Sequence, residues 1–401
     1  MKKFIAFNVG VGDSFYLEIN ENTKILFDGG LKHNHFTSNF IRETGGSHID
    51  IMVCSHGDAD HVNGLSEFLK DPTTTCNQLW IPAGLTSNIK KLVFFPDEFY
   101  YDLINDLQNL EGEYSYLEDL EPYFQNNQEE PIYSENDKDM ADEEIATSSF
   151  FEELRNHYFN HFEVKKSKYQ QHVINIYNRL FFANHHLMSL SRQAFKTAES
   201  IRNLAISAFN KGVMIRLFEY SANGLSRGGE PFLLPVNSQE IYTIKAQKTP
   251  PLKFLYLSTI NKESLVFYSP KEDDGAGVLF CSDSNFSFNQ YKKSLIFLDT
   301  TYLITAPHHG SGNNKEVYEV LREYINFDAK TIFVRSDYNQ YGSQSSRPCT
   351  DFLDIPKARR LCTNCRHPDK KGGQTIKLTS FNGEWVPEEK ARLSWCYCVK
   401  Y

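Results

Sequence analysis

Four side chains able to bind a metal lie within six residues in the run His56-Gly57-Asp58-Ala59-Asp60-His61. Imidazole and carboxylate together suit zinc, manganese or iron, and this run offers no thiolate. Gly57 and Ala59 keep the backbone compact between the ligands. Carboxylates and imidazoles crowded behind a buried strand repel one another unless something compensates them. A solvated polar turn is the bland alternative. The chemistry implied is that of a bound water whose pKa falls from 15.7 to about 7 in favourable zinc sites, so that it can attack phosphorus or a carbonyl carbon.

Companions lie far away in sequence. Asp28-Gly29-Gly30 follows the run Lys24–Phe27, Cys281-Ser282-Asp283-Ser284 follows Gly277–Phe280, and Pro307-His308-His309-Gly310-Ser311 follows Tyr302–Thr305. A carboxylate at a strand end can bridge two metals. A histidine there can complete a second site, and its neighbour can contact substrate or orient a ligand. Each segment alone reads as a turn; together they are a set.

These segments need strands to hold them. Lys3–Asn8, Ser14–Ile19, Lys24–Phe27, Ile49–Cys54 and Gln78–Ile81 are short runs rich in aromatic and β-branched residues, and Val62–Leu69 has helical spacing. Residues 150–212 read as helices, with Leu187–Lys211 free of Pro and Gly and stopped at Gly212. Val213–Tyr220 reads as a strand and Ser221–Pro251 as a connection. In the second half Phe254–Leu257, Ser264–Tyr268, Gly277–Cys281, Tyr302–Thr305, Thr331–Val334, Gln374–Leu378 and Leu393–Cys398 read as strands, with a helix at Val317–Ile325.

The 401 residues carry a net charge of −9, with 40% hydrophobic and 23% charged residues, an ordinary globular balance. The charge is unevenly placed: Asp97–Glu153 holds 19 acidic residues and only Lys138 as a base, a net −18, so the remainder carries +9. A basic body is compatible with a phosphate-bearing substrate. No stretch approaches the roughly 18–20 apolar residues of a membrane span. Eight scattered cysteines argue for a reducing cytoplasm rather than a secreted disulfide framework. The chain divides into a strand-rich 1–96, an acidic insertion 97–153, a helical insertion and connection 154–250, and a strand-rich 251–401.

With these motifs in view, the sequence resembles the metallo-β-lactamase fold, and within it the soluble hydrolase domain of ComEC-type competence proteins. The matching residues are Asn8-Val9-Gly10-Val11-Gly12-Asp13-Ser14, Asp28-Gly29-Gly30, Ser55–His61 with Gly64, Asn261 with Ser264-Leu265-Val266, Ser282-Asp283, and Pro307–Ser311. The resemblance covers roughly 1–84 and 251–380. It implies an α/β, four-layered αββα sandwich with metals at one edge of the two sheets. It implies His56, Asp58, Asp60, His61, Asp283 and His308 as ligands of one or two divalent ions, zinc or manganese. Asp60 and His309 are the catalytic residues it implies, and Asn261 and Ser311 the substrate contacts. Asp58 stands where most of these enzymes have a histidine, which shifts the site toward harder metals. Two departures stand out. No histidine of matching context lies between the first motif and Asp283, although His157, His161, His172, His185 and His186 fall in that interval. In Asn339-Gln340-Tyr341-Gly342-Ser343-Gln344, Ser343 replaces the histidine of ComEC-type domains.

The activity expected is metal-dependent hydrolysis, first of a phosphodiester or nucleic acid, as in a nuclease. The alternatives are hydrolysis of a small ester, thioester or lactam, and a regulatory subunit whose acidic insertion binds a basic protein partner. Elsewhere, Cys362-x-x-Cys365, His367 and Cys396-x-Cys398 offer either a structural zinc site or buried thiols. Lys357, Arg359, Arg360, Arg366, Lys370 and Lys371 offer either a phosphate track or solvated surface.

Overall fold

The computed structural model describes residues 1–31, 35–126, 144–161, 187–245, 249–271, 276–288, 302–324, 331–336, 348–365, 373–388, 396 and 398. The fold is of mixed α/β class, with two large sheets and helices packed against them. The first sheet has nine strands, in the spatial order Glu384–Pro387, Ile376–Phe381, Lys3–Ala6, Phe15–Asn20, Thr23–Phe27, His48–Val53, Thr75–Pro82, Met214–Tyr220 and Ser238–Ile241. The second has six: Arg360–Cys362, Ile332–Arg335, Tyr302–Thr305, Gly277–Phe280, Phe267–Ser269 and Leu234–Pro235. Thr23–Phe27 through Met214–Tyr220 run parallel, as do Gly277–Phe280 through Arg360–Cys362.

The parallel strands are short and apolar because both faces are covered. Ile25, Phe27, Ile51 and Val53 of the first sheet share one buried cluster with Phe267, Val278, Phe280 and Leu303 of the second. Phe27 and Phe280 stack across it with ring centroids 4.6 Å apart. The alternate residues, Leu26, Met52 and Leu79, point to a second cluster shared with helices Ala59–Lys70 and Leu187–Lys211. A third cluster joins Leu279, Ile304 and Phe333 to Val317, Tyr318 and Leu321 of helix Glu316–Tyr324.

Part of the acidic stretch contributes to this interior. Phe99, Tyr100, Leu103 and Leu107 of helix Pro96–Gln108, with Leu117 and Leu120, are buried in the same cluster as helix Ala59–Lys70. Its carboxylates lie on the other faces, and 127–143 falls outside the described residues. Two expectations need correction. Phe254–Leu257 belongs to a helix, Pro251–Ser258, with proline at its first turn. The span read as a connection after Ser221 contains three short strands, Leu234–Pro235, Ser238–Ile241 and Thr243–Lys245. Leu393–Cys398 lies mostly outside the described residues, and Cys396 and Cys398 are not in a strand. No helix among the described residues is long and apolar enough to cross a membrane.

Candidate metal centre

Two parallel strands of each sheet deliver the site. Thr23–Phe27 ends in Asp28, His48–Val53 leads into Ser55 and His56, Gly277–Phe280 leads into Asp283, and Tyr302–Thr305 leads into His308 and His309. The carboxyl ends of parallel strands are where α/β sheets place ligands. Backbone hydrogen bonds lash the loops together: Asp28 N–H donates to Val53 O at 2.9 Å, and His308 N–H to Ser282 O at 2.9 Å. Helix Ala59–Lys70 starts here with Asp58 at its N-cap position. The Asp58 side chain makes no capping bond and so remains available to the cleft.

The local backbone is unusual in the same place. Asp28, Ser282, His308 and His309 all have positive φ, at 57°, 49°, 44° and 52°. Non-glycine residues rarely adopt that region, and strain of this kind collects at functional sites. Gly12 is needed for a different reason. A Cβ there would come within 1.9 Å of Asp60 O, so only glycine lets the loop carrying Asp13 pass so close to Asp60.

Asp283, almost fully buried, is the centre of the cluster. Its Oδ2 lies 3.6 Å from His308 Nε2, 3.7 Å from His309 Nε2 and 3.9 Å from His56 Nε2, and its Oδ1 lies 3.5 Å from His61 Nε2. Asp58 Oδ2 is 3.6 Å from His56 Nε2, and Asp60 Oδ2 is 3.5 Å from His309 Nε2. The six ligands implied by the resemblance therefore converge, and His309, assigned above to catalysis, sits among them. Asp13, His61, Asp283 and His309 bring one ligand atom each within 4.8 Å of one another.

A second ring of contacts fixes the imidazoles. Asp28, fully buried, accepts from Ser55 N at 2.8 Å through Oδ1, and from Ser55 Oγ at 2.7 Å through Oδ2. The same Oδ2 lies 2.8 Å from His61 Nδ1. Asp13 Oδ1 lies 3.1 Å from His309 Nδ1, Ser55 Oγ 3.0 Å from His56 Nδ1, and Asn314 Oδ1 3.5 Å from His308 Nδ1. Asn314 also donates to Asp283 O at 2.6 Å. In His56, His61 and His309 Nδ1 is engaged from behind, which turns Nε2 inward, the orientation that histidine ligands to metals adopt.

The electrostatics follow from this crowding. Burial pushes Asp283 up, but His309, His308 and His61 together take it well below the usual carboxylate range. Burial likewise opposes the charged forms of His61 and His309, yet Asp283 raises both well above an ordinary histidine, helped by Asp28 at His61 and by Asp13 at His309. Asp60 is driven down against its burial by the neighbouring His309 and His61 imidazoles. Asp13 goes the other way: burial raises it more than His309 lowers it.

The residues present fit a divalent cation. His56 Nε2, His61 Nε2, His309 Nε2 and Asp283 Oδ1 are buried with no hydrogen-bond partner among the described residues. Buried polar atoms are rarely left so. Their separations of 3.5–3.9 Å from the facing ligand atoms are too long for good hydrogen bonds. They are close to the ~3.4 Å between tetrahedral ligands that each bind a metal at ~2.1 Å. Five aspartates also converge here, of which Asp13, Asp28 and Asp283 are buried, and buried charge of one sign requires compensation.

The other residues singled out from sequence fall nearby or elsewhere. Asn261, whose buried Oδ1 has no hydrogen-bond partner among the described residues, lines a cavity of about 240 Å³ with Glu118, Tyr256 and Asn314. Ser311 is buried, and its N–H closes the His308 turn by donating to His308 O at 2.7 Å. His157 packs edge-on against Phe94. His172, His185, His186, His367 and the Asn339–Gln344 segment lie outside the described residues, as does the side chain of His161. Sequence reasoning gave no site role to Asp13, Ser55 or Asn314. Asp13 could have been found from its place directly after the two tight glycines Gly10 and Gly12.

The sequence matches no protein-family model, and no curated protein matches it significantly.

Proposed function

We propose that the protein is a divalent-metal-dependent hydrolase of metallo-β-lactamase type, acting on phosphodiesters and most simply on nucleic acid. The observation that carries this reading is the convergence of His56, His61, His308 and His309 with Asp58, Asp60 and Asp283, several of their inward-facing atoms having no hydrogen-bond partner among the described residues. Helices outside two facing sheets, with ligand loops at one edge of both, support the αββα sandwich expected of that class.

His56, Asp58, Asp283 and His308 would form one ligand group and Asp60, His61, His309 and Asp283 the other. In this reading His308 supplies the histidine that the sequence lacks between the first motif and Asp283. Zinc or manganese would supply Lewis-acid polarisation of the scissile group and a lowered pKa for water. The chain's own residues divide the remaining work. Asp28, Asp13 and Ser55 hold imidazole tautomers and orientation. Asp58 and Asp60 keep about a quarter of their side-chain surface open, whereas Asp283 is closed off. Asp60 is therefore the carboxylate placed to orient an attacking water by accepting its hydrogen bond, with His309 Nε2 3.5 Å behind its Oδ2.

The substrate class rests on the cleft and the charge. A cleft of about 810 Å³ runs from His56 past Ser87, Tyr220, Arg227 and Tyr242. Arg227 and Tyr242 are exposed there, a cation for phosphate and an aromatic face for a base. The +9 charge outside 97–153 favours the same anionic substrate.

The test is hydrolysis of a nitrophenyl phosphodiester, single-stranded and supercoiled DNA, and RNA, each with manganese or zinc, by wild type and Asp60→Ala. Metal-dependent cleavage of a phosphodiester that Asp60→Ala loses by at least 100-fold is expected. Turnover unchanged in Asp60→Ala would remove the assignment. Cleavage of esters or lactams alone would overturn the substrate class and leave the hydrolase.

A further inference from the structure

A second set of ligands lies at the edge of the second sheet, and the hydrolase reading does not use it. Cys362 ends the edge strand Arg360–Cys362, and Cys365 follows in a turn closed by Cys365 N–H donating to Cys362 O at 3.2 Å. Cys396 is brought alongside that strand by its N–H, which donates to Arg360 O at 2.8 Å. Cys398 follows two residues on. Two segments some thirty residues apart in the chain thus present two thiols each to one point.

The spacing is diagnostic. Cys365 Sγ lies 3.5 Å from Cys398 Sγ and 3.9 Å from Cys396 Sγ, and all four sulfurs lie within 4.8 Å of one another. A zinc ion bound by four thiolates at about 2.3 Å has tetrahedral edges of about 3.8 Å. All four cysteines are free rather than paired in disulfides. Three are buried and Cys398 is partly so, which suits a closed structural site with no position left for water or substrate.

Four thiolates around one zinc leave a net charge of −2, which needs a positive neighbour. Arg335, fully buried, provides one: its Nη1 lies 3.4 Å from Cys362 Sγ. Its Nε donates to His309 O at 2.5 Å. Arg335 therefore links the thiol cluster to the loop that carries His308 and His309.

We propose that Cys362, Cys365, Cys396 and Cys398 bind one structural zinc ion, distinct from the histidine–aspartate centre, that fastens Cys396 and Cys398 to the edge of the second sheet. Four sulfur donors, with no imidazole or carboxylate among them, select zinc over the manganese that the other centre accepts.

The experiment is metal analysis of the purified full chain after dialysis against a mild chelator, for wild type, His56→Ala/Asp283→Ala and Cys365→Ser/Cys398→Ser. One tightly held zinc per chain is expected in the histidine–aspartate variant, and one zinc fewer in the cysteine variant than in wild type. Should the cysteine variant fail to fold, the folded His56→Ala/Asp283→Ala protein is titrated with a mercurial. One zinc should then leave as the four thiols react. Cobalt substituted into the same protein should show thiolate-to-cobalt charge-transfer absorption. Zinc absent from that protein, iron in its place, or disulfides among these four cysteines under reducing purification would each overturn the proposal. None of these results depends on whether the protein hydrolyses anything.

Discussion

Replacing Asp28 with asparagine tests the metal centre without touching an inward-facing ligand. Asparagine tolerates the positive φ of 57° at this position, so the backbone has no reason to move. The amide oxygen can still accept from Ser55 N, now 2.8 Å from Asp28 Oδ1. The amide nitrogen then replaces the oxygen 2.8 Å from His61 Nδ1 and 2.7 Å from Ser55 Oγ. It is a donor, so His61 must present Nδ1 as an acceptor and carry its proton on Nε2. That nitrogen faces Asp283 Oδ1 at 3.5 Å, where a cation needs its lone pair. Loss of such an orienting carboxylate typically costs 10–100-fold in metal affinity, or about 1.4–2.7 kcal/mol. Calorimetric titration of metal-free protein with manganese measures it directly. Affinity within twofold of wild type, in a variant of unchanged circular dichroism, would refute the tautomer argument and with it the role given to Asp28.

Three further outcomes follow from other parts of the molecule. Gly64→Ala should destabilise the protein by several kcal/mol or prevent folding, because its Cβ would stand 1.9 Å from Gly29 O and force helix Ala59–Lys70 off the sheet; normal expression with an unchanged melting temperature would contradict that packing. Glu240 is held below its ordinary value of 4.5: burial pushes it up, but hydrogen bonds from Arg216 at 2.6 and 2.7 Å more than offset this. Its folded pKa is depressed, so its contribution is present above about 4.5 and is lost as pH falls through the folded value. Glu240→Gln should cost about 1.5–3 kcal/mol at pH 7, and urea titrations should show that gap closing below pH 4.5; a gap independent of pH would refute it. Manganese at a hundred times its dissociation constant should stabilise the fold by about 2.7 kcal/mol, seen as a chelator-reversible rise in melting temperature that His61→Ala abolishes. A rise that survives in His61→Ala would place the ion elsewhere.

Much of the site was legible in sequence because metal chemistry needs particular residue types at strand ends. His56, Asp58, Asp60, His61, Asp283 and His308 were named from motifs, and the structure brings them together. The end of the helix Leu187–Lys211 is legible at Gly212, since an unbroken periodic run closed by glycine has few other solutions. What escaped depends on three-dimensional neighbours. Nothing in Gly12-Asp13 says that Asp13 will sit behind His309, 296 residues away. The run Phe254–Leu257 is apolar enough for either element, and the signal that decides it is Pro251 in the first helical turn. The strands after Ser221 are two to four residues long, partly polar and at sheet edges, held by one partner strand each rather than by their own pattern.

The strand Lys3–Ala6 lies between Phe15–Asn20 and Ile376–Phe381, pairing with both. This strand therefore waits for a partner far later in the chain, Thr379 opposite Lys3, before its second edge is covered. Asp283 and His308 likewise arrive long after His56 and His61. A chain folded only through His61 therefore carries half of the cluster, which closes when the segments bearing Asp283 and His308 pair with it. Folding that depends so heavily on remote pairing is slow, so the two halves of the cluster meet late.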